Sequence, residues 1–167
     1  MIAIGIDIGG TSIKGAAVTD EGKVLDVFTL KVVKNEDQFV TMQKLIDMIN
    51  DYIKEHNFKR EELLGIGIGV PGSVDTKRGV VPFSPNLKWD DLHIVDIISK
   101  GTGLPVKITN DANAACLAEV KFGSAKQYKD VLMFTLGTGL GGGIVINGEL
   151  YEGNNGMGAE IGHAVLE

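Results

Sequence analysis

Two glycine-rich turns and a few acids are the residues of this chain best suited to chemistry. Asp7-Ile8-Gly9-Gly10-Thr11 follows an apolar run that begins at Ile2 and precedes a second run from Ile13 to Val18, so its glycines turn one strand into the next. Gly137-Thr138-Gly139-Leu140-Gly141-Gly142-Gly143 stands in the same way between Val131 to Leu136 and Ile144 to Ile146. Successive backbone N–H groups in such a turn point into a concavity and bind anions. Glycine lets a phosphate approach the main chain closely and permits φ > 0. Either turn alone reads first as a tight hairpin. Two in equivalent places, one with an acid at its strand end, read as a pair of phosphate grips. Gly9, Gly10, Gly137, Thr138, Gly139 and Gly141 are then candidate phosphate contacts. Asp7 is placed to hold Mg²⁺ beside the phosphates, and Thr11 and Lys14 lie close enough to add polar contacts.

Other phosphate motifs fail on context. Gly67-Ile68-Gly69-Val70-Pro71-Gly72 and Gly137 to Gly142 both match the dinucleotide spacing G-x-G-x-x-G, which needs a helix at its third glycine. Pro71 leads into a loop and Gly143 into a strand, so neither is read as such a site. No G-x-x-x-x-G-K-[ST] run is present. Asp111 is the remaining acid of interest. It follows the predicted strand Val106 to Thr109, where α/β folds place their ligands, and opens an Ala-rich helix that stops at Gly123. The same position suits a helix N-cap.

These residues need a scaffold, and the pattern predicts one of alternating strands and helices. Asp20-Glu21-Gly22 turns the second strand into a third, Val24 to Val33. Asn35-Glu36-Asp37-Gln38 reads as a capping box for a helix to about His56, with Phe39, Met42, Ile46, Ile49 and Ile53 on its core face. Leu64 to Val70 is a strand, and the stretch from Pro71 to Trp89 reads mostly as loop. Asp90 or Asp91 caps a helix through Lys100, with Gly101 beyond its end. Residues 6–11 and 134–139 repeat at an offset of 128, each as strand, glycine turn, strand and hairpin. Asn147-Gly148 supplies the second hairpin's type I′ signal. The repeat predicts a duplicated α/β unit, with one domain over 1–111 and the beginning of a second, truncated one over 112–167.

Composition narrows the classes. The chain has 167 residues, 44% hydrophobic and 23% charged, which excludes a disordered or collagen-like polypeptide. A net charge of −6 with no Lys/Arg run argues against nucleic-acid and membrane partners. Met1-Ile2-Ala3-Ile4-Gly5 has no basic n-region, and Cys116 is the only cysteine, so a reducing cytoplasm is expected and Cys116 reads as a small buried apolar residue. Twenty-three glycines are roughly twice the ordinary share, with ten falling between Gly137 and Gly162.

The motifs together resemble the ROK sugar kinases of the actin-like, hexokinase-like ATPase superfamily. Asp7 to Gly15 is similar to their first phosphate motif and Gly137 to Gly143 to their second. Gly69-Val70-Pro71-Gly72, Asn86-Leu87-Lys88-Trp89, Pro105-Val106, Asn110-Asp111-Ala112-Asn113-Ala114-Ala115 and Glu160-Ile161-Gly162-His163 continue the pattern in order. The resemblance implies an α/β actin-like (ribonuclease H-like) fold with a mixed sheet, and transfer of a phosphoryl group from ATP, with Mg²⁺, to the primary hydroxyl of a hexose, glucose first. By that resemblance Asp111 is the general base, and Gly72, Asn86, Asn110, Asp111, Glu160 and His163 bind sugar. Many members join the histidine to three following cysteines around structural zinc. Here His163 has only a distant Cys116, so zinc would need cysteines from beyond residue 167. Gly158-Ala159 reverses the family's Ala-Gly order. The resemblance also implies a homodimer, and little turnover by these 167 residues alone, since half of the nucleotide cleft would lie elsewhere.

Two other readings stay open. A sugar-sensing transcription regulator of the same family would carry a helix-turn-helix ahead of the first motif, whereas the first strand here begins at Ile2. An actin- or chaperone-like ATPase explains the glycine turns and Asp7 but not the pairing of Asn110-Asp111 with Glu160 to His163.

Overall fold

The computed structural model describes residues 1–137, 139–154, 156, 158–159 and 161–163, the last without its side chain. Along the chain come β1 (Ile2–Ile8), β2 (Ser12–Thr19), β3 (Val24–Lys31), α1 (Gln38–Glu55), β4 (Leu63–Val70), β5 (Ser73–Asp75), β6 (Val80–Ser84), β7 (Trp89–Leu92), α2 (Ile94–Thr102), β8 (Val106–Asn110), α3 (Asp111–Lys121), β9 (Val131–Leu136), β10 (Leu140–Ile146) and β11 (Glu149–Leu150). The main sheet has the order β3-β2-β1-β4-β8. β2 runs antiparallel to both β1 and β3, and β4 and β8 join parallel to β1. Two three-stranded sheets, β5-β6-β7 and β11-β10-β9, complete the strands.

The repeat is visible in three dimensions. β9, β10 and β11 meander as β1, β2 and β3 do, and both Ile8 and its offset partner Leu136 end a strand at a glycine turn. The second turn is one residue tighter, with Leu136 facing Leu140 where Ile8 faces Ile13. Asn147 and Gly148 have φ of 55° and 84°, the left-handed pair that a type I′ hairpin requires.

Period-two alternation in β1 decides which way the sheet faces. Ile4, Ile6 and Ile8 point into one core with Ile66 and Ile68 of β4 and Met42, Leu45, Ile46 and Ile49 of α1. Leu45 is fully buried, so Leu45→Ala should cost about 2–5 kcal/mol in a chemical-denaturation experiment. Tyr52 fastens the helix to the sheet. Its hydroxyl accepts from the Ala17 amide at 3.2 Å and donates to the Asp26 carbonyl at 3.0 Å. The opposite sheet face carries Gly5, Gly67 and Gly69, leaving a hollow of about 740 Å³ lined also by Lys14, Lys107 and Thr109.

Several local expectations are corrected. The third strand stops at Lys31, and α1 begins at Gln38 with Asp37 as N-cap, its carboxylate accepting from the Phe39 and Val40 amides. That start turns Phe39 outward, 58% exposed, and the core face runs Met42, Leu45, Ile46, Ile49 instead. The stretch from Pro71 to Trp89, read mostly as loop, also carries β5, β6 and the start of β7, which form a three-stranded sheet. Asp90 and Asp91 belong to β7, and α2 starts at Ile94 without a side-chain cap. Gly101 lies inside α2, where a Cβ would press on Ile46 of α1. Gly103, at φ 66°, closes the helix. Cys116 is buried as expected; Trp89 is buried too.

Candidate active site

The carboxyl ends of β1, β4 and β8 open into a cleft of about 640 Å³ whose other wall is the turn between β9 and β10. What brings those walls together is the seating of α3. Gly141 and Gly143 of β10 lie against it, and a Cβ at either would press on Ala112 or collide with Cys116. Their lack of side chains lets the helix sit close on the second sheet, so its first residue faces the second glycine turn.

The N-cap of α3 is Asn110, not Asp111. Asn110 Oδ1 accepts from the Ala112 and Asn113 amides at 2.9 and 3.2 Å, and Nδ2 donates to the Gly72 carbonyl at 3.3 Å. Both lone pairs of that oxygen are engaged, leaving the amide one N–H for any other partner. Capping by Asn110 makes Asp111 the first helical residue. Its Oδ1 also accepts from Ala112 N–H at 2.9 Å, and its side chain lines the cleft. Although Asp111 is open to solvent through the cleft, loss of water to the surrounding walls raises its carboxyl above the usual range; the hydrogen bond from Ala112 opposes this, and the nearby charge of Asp7 adds to it. Gly69 explains why the two acids sense each other. It pairs with Asp7 in the sheet register and abuts the Asp111 backbone, and it places no side chain between them.

Asp7, Gly9, Gly10, Gly72, Asn86, Asn110, Asp111, Gly137, Gly139 and Gly141 all line this one cleft. At Gly10, Gly137 and Gly139 a Cβ would meet no protein atom within 4 Å, so open space stands above the main chain of both turns. These turns do not need the left-handed backbone that their glycines permit: none of Gly9, Gly10, Gly137, Gly139 or Gly141 has positive φ. Among the cleft glycines it is found at Gly72, with φ of 97°. Lys14, beside Asp7 in the register, lines the hollow on the sheet face rather than the cleft, and exposed Thr11 is outside the cleft wall. Thr138 and Glu160 lie outside the described residues, as does the side chain of His163, whose backbone belongs to a 3-10 turn over Ile161–His163. Ala159, next to Glu160, lines the cleft.

Sequence reasoning passed over two polar lining residues. Thr135 takes in the second copy the place Asp7 has in the first, which the offset of 128 already encoded. Ser84, fully buried at the end of β6, donates to the Pro71 carbonyl at 3.0 Å. Its only sequence signal was nearness to Asn86.

With this geometry in place, comparison with known proteins is decisive. The sequence profile of the ROK family matches residues 3–167. The chain belongs to the ROK family. A glucokinase of Halalkalibacterium halodurans is 38% identical over 163 residues, covering 98% of this chain and 49% of that protein. The xylose repressor of Bacillus subtilis is 36% identical over 166 residues, covering 99% and 42%. A ROK family glucokinase from Streptomyces griseus, solved in complex with glucose and AMPPNP, superposes with a TM-score of 0.82 at 38% identity, covering 98% of this chain and 50% of that one. The chain thus spans about half the length of the curated relatives it matches. Its fold is the actin-like ATPase fold of the ROK sugar kinases. ROK relatives include both kinases and repressors, so membership alone does not decide between catalysis and sensing. Among the described residues no helix is long and apolar enough to cross a membrane.

The ROK cleft also bears on Mg²⁺. Asp7 stands on its wall beside the first glycine turn, and the described residues hold no group of three or more His, Cys, Asp or Glu that could enclose a metal. A single carboxylate on an open cleft fits a cation that keeps water and takes oxygens from a bound phosphate, the habit of Mg²⁺.

Proposed function

We propose that this chain supplies the sugar-binding and phosphate-gripping part of an ATP-dependent hexose kinase, with glucose as the first candidate substrate. One observation carries the reading: both glycine turns, Asn110 and Asp111 open into the same cleft. Similarity to glucokinases, and to one solved with glucose and an ATP analogue, supports it.

On this reading the chain's residues divide the work. Gly72, Asn86 and the remaining Asn110 N–H face the hexose, joined by Glu160 and His163. A sugar presents many hydroxyls that both donate and accept, which suits a mixture of amide, carboxylate and imidazole. Asp111 takes the proton of the primary hydroxyl as that oxygen forms a bond to the γ-phosphorus and the bond to the bridging oxygen of the leaving ADP breaks. A positioned base contributes about 10²–10⁴-fold. Its raised proton affinity matches the task, because a stronger base draws the hydroxyl proton more readily. The glycine turns hold the donor's phosphates in line through backbone N–H groups. Bound Mg²⁺, held through Asp7, would neutralise phosphate charge.

The xylose-repressor similarity sustains a second reading, a sugar sensor without turnover. A coupled assay of the complete protein against glucose, mannose, allose and N-acetylated hexoses, with ATP and polyphosphate in parallel, separates the two. Turnover with a hexose is expected. Sugar binding without phosphorylation by either donor would make the protein a sensor.

A further inference from the structure

Asn86 and Gly72 reach the cleft from different elements, and Ser84 is the residue that joins them. It ends β6, two positions before Asn86, and is fully buried in a strand whose other buried residues, Val80 and Val81, are apolar. Its hydroxyl crosses to the end of β4 and donates to the Pro71 carbonyl at 3.0 Å. Its own carbonyl accepts the Leu87 amide at 3.2 Å, closing the turn that presents Asn86. On the far side of the same Pro71-Gly72 turn, Asn110 Nδ2 holds the Gly72 carbonyl. The fit between the strand ends is close: a Cβ on Gly72 would stand 3.1 Å from the Phe83 carbonyl oxygen and 3.6 Å from Ser84 Cβ.

We infer that Ser84 is a positioning residue for the sugar, acting through Pro71-Gly72 and Asn86 and not by contact with the reacting atoms. Its hydroxyl fixes the separation of these two walls, and neither its bond to Pro71 nor its bond from Leu87 reaches a phosphate-gripping turn. The inference rests on the hexose-kinase reading. Loss of the hydroxyl takes this donor from the carbonyl of half-buried Pro71, and the turn then shifts toward another partner.

The test compares Ser84→Ala and Ser84→Cys with wild type in the complete protein, measuring KM for the hexose, KM for the nucleotide, kcat and Tm, with kinetics taken well below each Tm. Ser84→Ala is expected to raise hexose KM by about three- to tenfold, the equivalent of one ordinary hydrogen bond, while nucleotide KM and kcat move less. Ser84→Cys, with a weaker donor, should fall between wild type and Ser84→Ala. A hexose KM equal to wild type in both variants overturns the assignment. So does a parallel loss in both KM values and kcat, since that marks a purely structural role. Should Ser84→Ala not fold, Ser84→Cys decides alone by the same split. A wild type that phosphorylates no hexose rejects the underlying reading instead, and is seen before any variant is made.

Discussion

Asp111→Asn in the complete protein should reduce phosphoryl transfer by about 10²–10⁴-fold while leaving hexose affinity near wild type. The amide keeps the side chain's size and can still accept from Ala112 N–H, so α3 stays seated and the cleft keeps its shape. What it cannot do is take a proton. The same substitution should raise the Tm of the ligand-free protein at neutral pH. Folding lifts the Asp111 pKa, chiefly through lost solvation, so the folded state binds the proton more tightly than the unfolded chain. The favourable contribution of such a group is fully present below its unfolded pKa and lost as pH rises through its folded one. Above that window the ionised carboxylate works against folding, and the neutral amide removes the penalty. The Tm difference should therefore shrink as pH falls into the carboxylate range. A variant that keeps most of its turnover dismisses Asp111 as the base. One whose Tm is unchanged or lower at neutral pH dismisses the account of its environment.

This pairing of lost activity with gained stability depends on a detail the sequence left open. Asn110 and Asp111 are both good N-caps and stand side by side, so spacing alone could not say which ends the strand and which begins the helix. The structure gives the cap to Asn110 because β8 stays paired through it, against Val70 of β4. Elsewhere legibility followed signal length. The two glycine turns and the strands around them repeat over enough residues for their equivalence to be read directly. β5 is three residues long and β7 carries Asp91 at φ 43°, so neither shows a period that a pattern could catch. Gly101 and Gly103 differ only in what surrounds them: one admits a neighbouring helix and the other adopts the left-handed conformation. Lys14 pairs with Asp7 and so shares its sheet face, and both line the glycine-floored hollow.

Gly10→Val offers the other large effect, because it separates a phosphate grip from a mere hairpin. If Gly10 served only the turn, a side chain there would strain the backbone or strike a neighbour. It does neither: φ is not positive, and no protein atom lies within 4 Å of where Cβ would stand. Stability should therefore stay within about 0.5 kcal/mol of wild type, as for an ordinary surface substitution. The branched side chain would instead fill space above the main chain that the donor's phosphates are proposed to use. A displacement of about 1 Å there should lower kcat/KM for ATP by about 100-fold, with hexose affinity preserved. Gly137→Val on the facing wall should behave alike, since its Cβ also meets open space. Gly141→Val makes the contrast, because Thr135 and Ala112 occupy the room its side chain would need, so it should lower Tm as well as activity. If Gly10→Val and Gly137→Val both retain wild-type kcat/KM for ATP, the open space over the two turns is not where the triphosphate lies, and the shared cleft loses its role as the nucleotide's seat.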